Sequence, residues 1–370
     1  MEKMFKRSLL GAAVAVAAVS GSANAAIELN GEAVQLYGQA AGFMKWNNNT
    51  NSDKAVSTTI ESRIGFRGVV KFDDFGPDLI WQIEGGNADH GGFDADKPWT
   101  HDNNGQLGAR DTYLGLSFDG VGSFKYGRQL VAAYNYVDWP HSNPGLGNVF
   151  DWNNDIGSGN VDSATGAVSY GGNGFEDRAD NVLRFDSANF GGFNFQATLS
   201  GMASNTDEMI TSFAGSYSQD MFSVHAGYYT QKGFGEGEDK GGDNSYYIVG
   251  GSFFIDSFTL TAAMKHMEND AYQIKLDKAF VTSAKADQTA YSATAQYVLD
   301  GKWVFKAGYA STSKVEVEGV KADNSQDLAV TARLGYLLPS TYLFLDSRNY
   351  KMNNSDDWDN NVLAGVEFYF

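Results

Sequence analysis

Five histidines, His90, His101, His141, His225 and His266, are the side chains of this 370-residue sequence best suited to acid–base or metal chemistry. No two are spaced as H-x-x-x-H or H-E-x-x-H, which would put both imidazoles on one helical face around a zinc ion. Scattered surface or interface positions account for them more simply. Residues 47–53 and 151–155 are rich in oxygen ligands, yet neither has the spacing of a calcium-binding EF-hand loop, and both read as solvated loops. The chain has no cysteine, so thiol chemistry is absent. It has no G-x-S-x-G elbow, and no glycine pair followed by Lys-Ser and a helix start. Carboxylates are so numerous that no pair stands out as a glycosidase dyad. No catalytic residue, metal site or cofactor is expected, and an enzyme is not the reading these residues support.

What remains is charge and its placement. Lys and Arg number 27 against 45 Asp and Glu, a formal net of −18, which would repel nucleic acid rather than bind it. Acidity does not imply disorder here, because 14% of residues are aromatic, with 19 tyrosines and 25 phenylalanines. Lys3, Lys6 and Arg7, an apolar run at 9–19 and an Ala23-Asn24-Ala25 site have the three-part layout of an export signal over residues 1–25. That run is about half the ~20 residues a spanning helix needs, which makes a permanent anchor the weaker alternative. The signal carries a net +2 (Lys3, Lys6 and Arg7 against Glu2), so removing it takes the charge from −18 to −20. No later segment approaches 18 consecutive apolar residues. Two folds suit an exported, cysteine-free chain with 43 glycines and abundant aromatics: a soluble β-protein, or a barrel with its polar half turned into a lumen.

Period-two patterning favours the barrel. Phe370, Phe368, Val366, Ala364 and Val362 alternate with Tyr369, Glu367, Gly365 and Leu363, as in a strand with one face in an apolar medium. Trp303, Phe305, Ala307 and Tyr309 alternate with Val304, Lys306 and Gly308; Tyr291, Ala293, Ala295 and Tyr297 with Ser292, Thr294 and Gln296. Sixteen such segments can be placed between 32–46 and 359–370, and an even count suits a bacterial barrel with both termini on the periplasmic side. Short turns (Asp119-Gly120, 187–192, Gln219-Asp220, Asp256-Ser257, Asp300-Gly301, Pro339-Ser340) alternate with long polar loops at 47–55, 87–105, 232–243, 267–284, 313–324 and 351–359. Sorting short connections to one end and long ones to the other is the asymmetry of outer-membrane barrels. The expected fold of residues 26–370 is an all-β, 16-stranded antiparallel transmembrane β-barrel.

One stretch narrows the family. Ala109-Arg110-Asp111-Thr112-Tyr113-Leu114-Gly115-Leu116-Ser117-Phe118, followed by Val121-Gly122-Ser123-Phe124-Lys125-Tyr126-Gly127-Arg128-Gln129, resembles the fourth and fifth strands of the general diffusion porins of Gram-negative bacteria. Leu36-Tyr37-Gly38-Gln39 resembles their first strand, Ser62-Arg63-Ile64-Gly65-Phe66-Arg67-Gly68 their second, and 365–370 their closing strand. The resemblance implies three barrels per assembly and a third extracellular loop, here 130–177, folded inward to narrow the pore. A segment of that length is in any case usually functional. The resemblance also implies a basic wall of Arg63, Arg110 and Arg178, with Gln39, Arg128 and Arg184 as further lumen candidates. Facing it would be acidic residues of the loop, among Asp138, Asp151, Asp155 and Asp162. Two departures stand out: Gln39 occupies a position where the family has lysine, and Asn143-Pro144-Gly145-Leu146-Gly147 replaces the P-E-F-G-G signature. From the residues alone, Arg63 and Arg110 could equally pair with their neighbours Glu61 and Asp111.

Cations on one wall and anions on the other would set up a transverse field that orders water, hindering apolar solutes and admitting polar ones. The expected function is passive diffusion of ions and small hydrophilic solutes across the cell outer membrane, with a mild cation preference from the excess carboxylate. Alternatives are a saccharide-preferring channel using Trp139, Trp152 or nearby tyrosines, a soluble secreted polysaccharide-binding or -cleaving β-protein, and a plugged structural barrel. The partners implied are outer-membrane lipid and lipopolysaccharide, two further copies of the chain, the barrel-assembly machinery through the strand ending at Phe370, and small hydrophilic solutes.

Overall fold

In the computed structural model the described residues are 26–47, 56–86, 106–141, 150, 159–161, 168–170, 175–201, 209–232, 243–276, 279–353 and 355–370. The expected signal at 1–25 and the loop carboxylates Asp151, Asp155 and Asp162 fall outside them. Among the described residues, sixteen strands form one closed antiparallel barrel. They are β1 (Val34–Asn47), β2 (Val56–Ile60 continuing as Arg63–Val70), β3 (Asp78–Gly86), β4 (Thr112–Phe118), β5 (Gly122–Leu130), β6 (Arg178–Ser187), β7 (Phe193–Ser200) and β8 (Ile210–Gln219). The second half comprises β9 (Phe222–Gln231), β10 (Asn244–Ile255), β11 (Phe258–Leu276), β12 (Ala279–Leu299), β13 (Trp303–Thr312), β14 (Leu328–Leu338), β15 (Thr341–Lys351) and β16 (Asp359–Tyr369). Each strand pairs with the next, and β16 pairs back onto β1 from Gln39↔Tyr369 to Asn47↔Asn361. Closure leaves no sheet edge to seek another chain. The seam is sealed at its end by Phe370, which exchanges main-chain hydrogen bonds with Gly38 (2.7 and 3.1 Å). A Cβ at Gly38 would lie 2.4 Å from the Phe370 ring, so glycine is required there.

The two faces of the sheet are sorted in the reverse of a soluble protein. Tyr309 is 49% exposed, and Trp303 and Phe305 of the same strand are also outward, while Val304, Lys306 and Ala310 are buried inside. The same inversion holds around the barrel: Leu114, Tyr126, Phe213, Tyr228, Val249, Leu345 and Phe368 are exposed, whereas Arg184, Lys265, Asp346 and Arg348 are among the buried residues. An apolar surface of that extent is unstable in water and matches lipid, and the polar interior matches a lumen. The soluble-protein alternative is excluded by this sorting.

Tight turns join the strands at one end. Asp256 (φ 50°), Asp300 (φ 53°) with Gly301 (φ 66°), and Ser340 (φ 52°) take left-handed backbone at the tips, as the right-handed twist of a hairpin demands. The opposite end carries the longer connections, and among the described residues two of them are structured: within 313–324, Glu316–Val317 pairs with Val320–Lys321 and with Ala286 and Asp287 of β12. Residues 267–284 are not a loop: β11 and β12 remain paired from Phe258↔Tyr297 out to Leu276↔Ala279. Beyond Asn269, the last residue paired to β10, the two strands hydrogen-bond as a ribbon. Tyr272, Ile274 and Leu276 do alternate with Gln273 and Lys275 in the sequence, but so short a run after the polar Glu268-Asn269-Asp270 does not set a strand apart from a loop.

Candidate functional site

The segment after β5 turns into the barrel. Val131, Ala132 and Ala133 are fully buried, and a five-residue helix α1 (Tyr134–Asp138) follows, with Val137 against the wall. Its amides and side chains are held by the lumen faces of β7 and β8. The Ala132 amide donates to Thr198 Oγ1 (3.2 Å), the Ala133 amide to Ser212 Oγ (2.9 Å), and Asn135 Nδ2 to Gln196 Oε1 (3.0 Å). Further along, His141 Nε2 meets His225 Nε2 of β9 at 2.7 Å, and Ser292 Oγ of β12 donates to the His141 carbonyl at 2.8 Å. Phe150 and Phe175 join Tyr229, Tyr246, Ile248 and Met267 in one buried cluster. The histidines look scattered in the sequence, and nothing across the 84 residues separating His141 from His225 signals their pairing.

α1 ends at Asp138, which is in electrostatic reach of Arg63, Arg110 and Arg178 together. Burial raises its pKa above the usual aspartate value, and the three guanidiniums pull it back down. Two of these arginines also hold carboxylates of the wall. Arg110 Nε donates to Glu84 Oε1 at 2.5 Å, and Glu84 Oε2 accepts from the Tyr37 hydroxyl at 2.7 Å. Arg178 Nε donates to Asp111 Oδ1 at 2.7 Å. Arg63, within reach of Arg110, Glu84 and Asp138, makes no salt bridge among the described residues. Neither Arg63–Glu61 nor Arg110–Asp111, the sequence-neighbour pairings, is formed. Gln39 lies beside this group, its Nε2 3.4 Å from the Tyr369 hydroxyl.

The other sequence candidates lie apart. Arg184 is buried, but its guanidinium is consumed by Asp186 (2.9 and 3.0 Å), Gln196 (2.8 Å) and the Leu130 carbonyl (2.9 Å). Arg128 shares the face of Phe124 and Tyr126, opposite Lys125 and Gln129, and donates to Asp180 (2.8 Å) and to the Ala109 carbonyl (2.8 Å). Alternation along β5 therefore removes it from the lumen group. Sequence reading missed a second basic group on β13–β15. Asp346 takes Arg333 in a two-bond fork (2.7 and 2.8 Å) and Arg348 at 2.6 Å, while Arg333 sits 4.3 Å over the Phe344 ring. Lys306 lies beside them, 5.8 Å from the Trp139 ring that caps α1. The available signal was alternation: Arg333 shares a face with Gly335, Asp346 with Phe344 and Arg348, inside the outward-facing aromatics.

A sixteen-stranded closed barrel, apolar outside and charged inside, with a loop packed against its inner wall, has the architecture of a transmembrane channel. Residues 12–361 match the family model described as Gram-negative porin, and the chain belongs to that family. It is 31% identical to the chitoporin of Vibrio furnissii over the whole of both chains. Against outer membrane porin F of Salmonella typhi it is 24% identical, over 96% of this chain and 94% of the other. The solved trimer form of OmpT, an outer membrane protein of Vibrio cholerae, shares the fold with a TM-score of 0.60 at 16% identity, covering 91% of this chain and 99% of that one. The protein is an outer-membrane porin, and its relatives are porins rather than enzymes.

Proposed function

We propose that the channel is a water-filled route for passive diffusion of ions and small hydrophilic solutes, with a mild preference for cations. One observation carries the reading: Asp138, borne inward on α1, acts electrostatically on Arg63, Arg110 and Arg178 at once. A carboxylate opposed to guanidiniums gives a transverse field, which orders water and favours solutes able to substitute for it, without a deep binding well. Arginine suits the wall because it keeps its charge when crowded by other cations. The remaining acidic residues of the loop, Asp151, Asp155 and Asp162, add to the negative side in this reading, and the −20 of the chain without its leader gives the cation preference its sign. Residues 1–25 act as the export signal, and the 130–177 segment as the constriction loop. Phe370 presents the closing strand to the barrel-assembly machinery. Three copies assemble, in contact with lipopolysaccharide. Liposome swelling tests the central part: rates should fall smoothly with sugar size, and a failure of all small sugars to enter would refute an open lumen.

A second reading, preference for saccharides, is favoured by the full-length likeness to a chitoporin and by Trp139, whose ring offers a stacking platform on the inner side of the loop. Sugars of matched size separate the two. Uptake that tracks size alone excludes a saccharide preference.

A further inference from the structure

Between α1 and the wall, towards the short-turn end of the lumen, lies a cavity of about 200 Å³. Tyr136 and Trp139 form one side, and Thr261, Thr294, Gln296 and Lys306 of β11, β12 and β13 form much of the other. Its chemistry differs from that of the opposed-charge group at Asp138. No lining residue is a carboxylate. Lys306 is 9% exposed, and the charges acting on it are Arg333 and Asp346. Both Asp346 oxygens are engaged by guanidiniums, one by Arg333 and the other by Arg333 and Arg348. Further carboxylates act on the guanidiniums, Glu367 on Arg333 and Glu61 on Arg348, while Lys306 is the lysine that lines the cavity.

We propose that this cavity is a subsite for a compact organic anion with a hydroxylated ring, of the size and chemistry of a hexuronate. Its carboxylate faces Lys306, its ring lies against Trp139 and Tyr136, and its hydroxyls meet the Thr261–Thr294 pair (Oγ1 atoms 2.6 Å apart) and Gln296. A charge-assisted contact at low local dielectric exceeds what a neutral hydroxyl makes with the same wall. The anion is therefore retained where an uncharged sugar of equal size passes through. This subsite deepens the diffusion-channel reading and rests on it: solutes reach the cavity only through an open lumen.

Three probes of one ring size and different charge test it: glucuronate, glucose and glucosamine, each added at millimolar concentration to single channels of the full-length protein in a planar bilayer. Glucuronate should produce discrete interruptions of the ion current, and the other two should not. Lys306→Gln should shorten the glucuronate interruptions at least tenfold, Lys306→Arg should retain them, and Trp139→Ala should shorten them. Heat-modifiable gel migration reports the folding of each variant. Interruptions of equal length with glucose, or undiminished in folded Lys306→Gln, overturn the proposal. A wild-type protein that conducts nothing refutes the channel reading itself and takes this subsite with it.

Discussion

The Nε2 atoms of His141 and His225 stand 2.7 Å apart, tying the inward-folded segment to β9. One imidazole must donate and the other accept, so the acceptor has to be neutral. Tyr136 stacks on His225 at 4.4 Å, and the Phe150 ring meets His141 edge-on at 6.0 Å. The charges nearby are cations: Lys306, which acts on His141, and Lys265, which lies 5.5 Å over the Phe150 ring. Burial, with help from His225 and Lys306, lowers the His141 pKa to about 2. A histidine whose docked pKa lies below its free value favours docking fully above about pH 6.5. The docked state then loses about tenfold in relative population for each pH unit below that, until the docked pKa is reached. Single-channel records taken from pH 7 down to pH 4 should therefore become progressively noisier as the segment leaves the wall. His141→Phe, which cannot be protonated, should remove much of that pH dependence. A current equally steady at both ends of the range contradicts the account.

Asp346 is completely buried as a side chain, and it is the acceptor for both Arg333 and Arg348. Asp346→Ala would leave two guanidiniums in the wall without their carboxylate. Removing one partner of a buried ion pair costs on the order of 3–5 kcal/mol. The variant should unfold at distinctly lower urea concentration, followed by loss of heat-modifiable migration. An unchanged midpoint would mean that lumen water already screens this triad.

Gly227 of β9 faces α1, and a Cβ there would sit 2.9 Å from Ala133 Cβ and 3.1 Å from Ala133 Cα. Backbone on the far side cannot yield as a flexible side-chain tip can. Gly227→Val should push α1 off the wall towards the lumen axis, lowering single-channel conductance while the barrel still forms. Conductance at or above wild type would indicate that the loop is displaced outward instead.

The barrel was legible because its signal is repeated. Alternation in residues 303–309 or 362–370 is modest in each strand but recurs sixteen times with connections sorted by length. Beyond Asn269 the run is short: Tyr272, Ile274 and Leu276 alternate after the polar Glu268-Asn269-Asp270, which reads as a loop, and only the pairing with 279–284 shows the β11–β12 ribbon. Arg63, Arg110 and Arg178 were reachable through resemblance, but their partners were not. The place of Asp138 opposite the arginines depends on where α1 ends, and joining Arg110 to Glu84 rather than Asp111 depends on strand register. Arg128 shows the converse: resemblance suggested the lumen, and simple alternation with Tyr126 places it on the other face. The Lys306, Arg333, Arg348 and Asp346 group spans three strands, and no local window contains it.

The central claim is that Asp138 opposes the arginine wall across an open lumen, and the reversal potential under a potassium chloride gradient tests it most directly. Wild type should show a mild cation preference at pH 7. The preference should fade on acidification while the pH is still above the usual aspartate range, because burial raises the Asp138 pKa. Asp138→Asn should shift the potential towards chloride at pH 7 and remove that pH-dependent fading. A wild-type potential favouring chloride, or an Asp138→Asn potential identical to wild type across the pH range, would contradict the account.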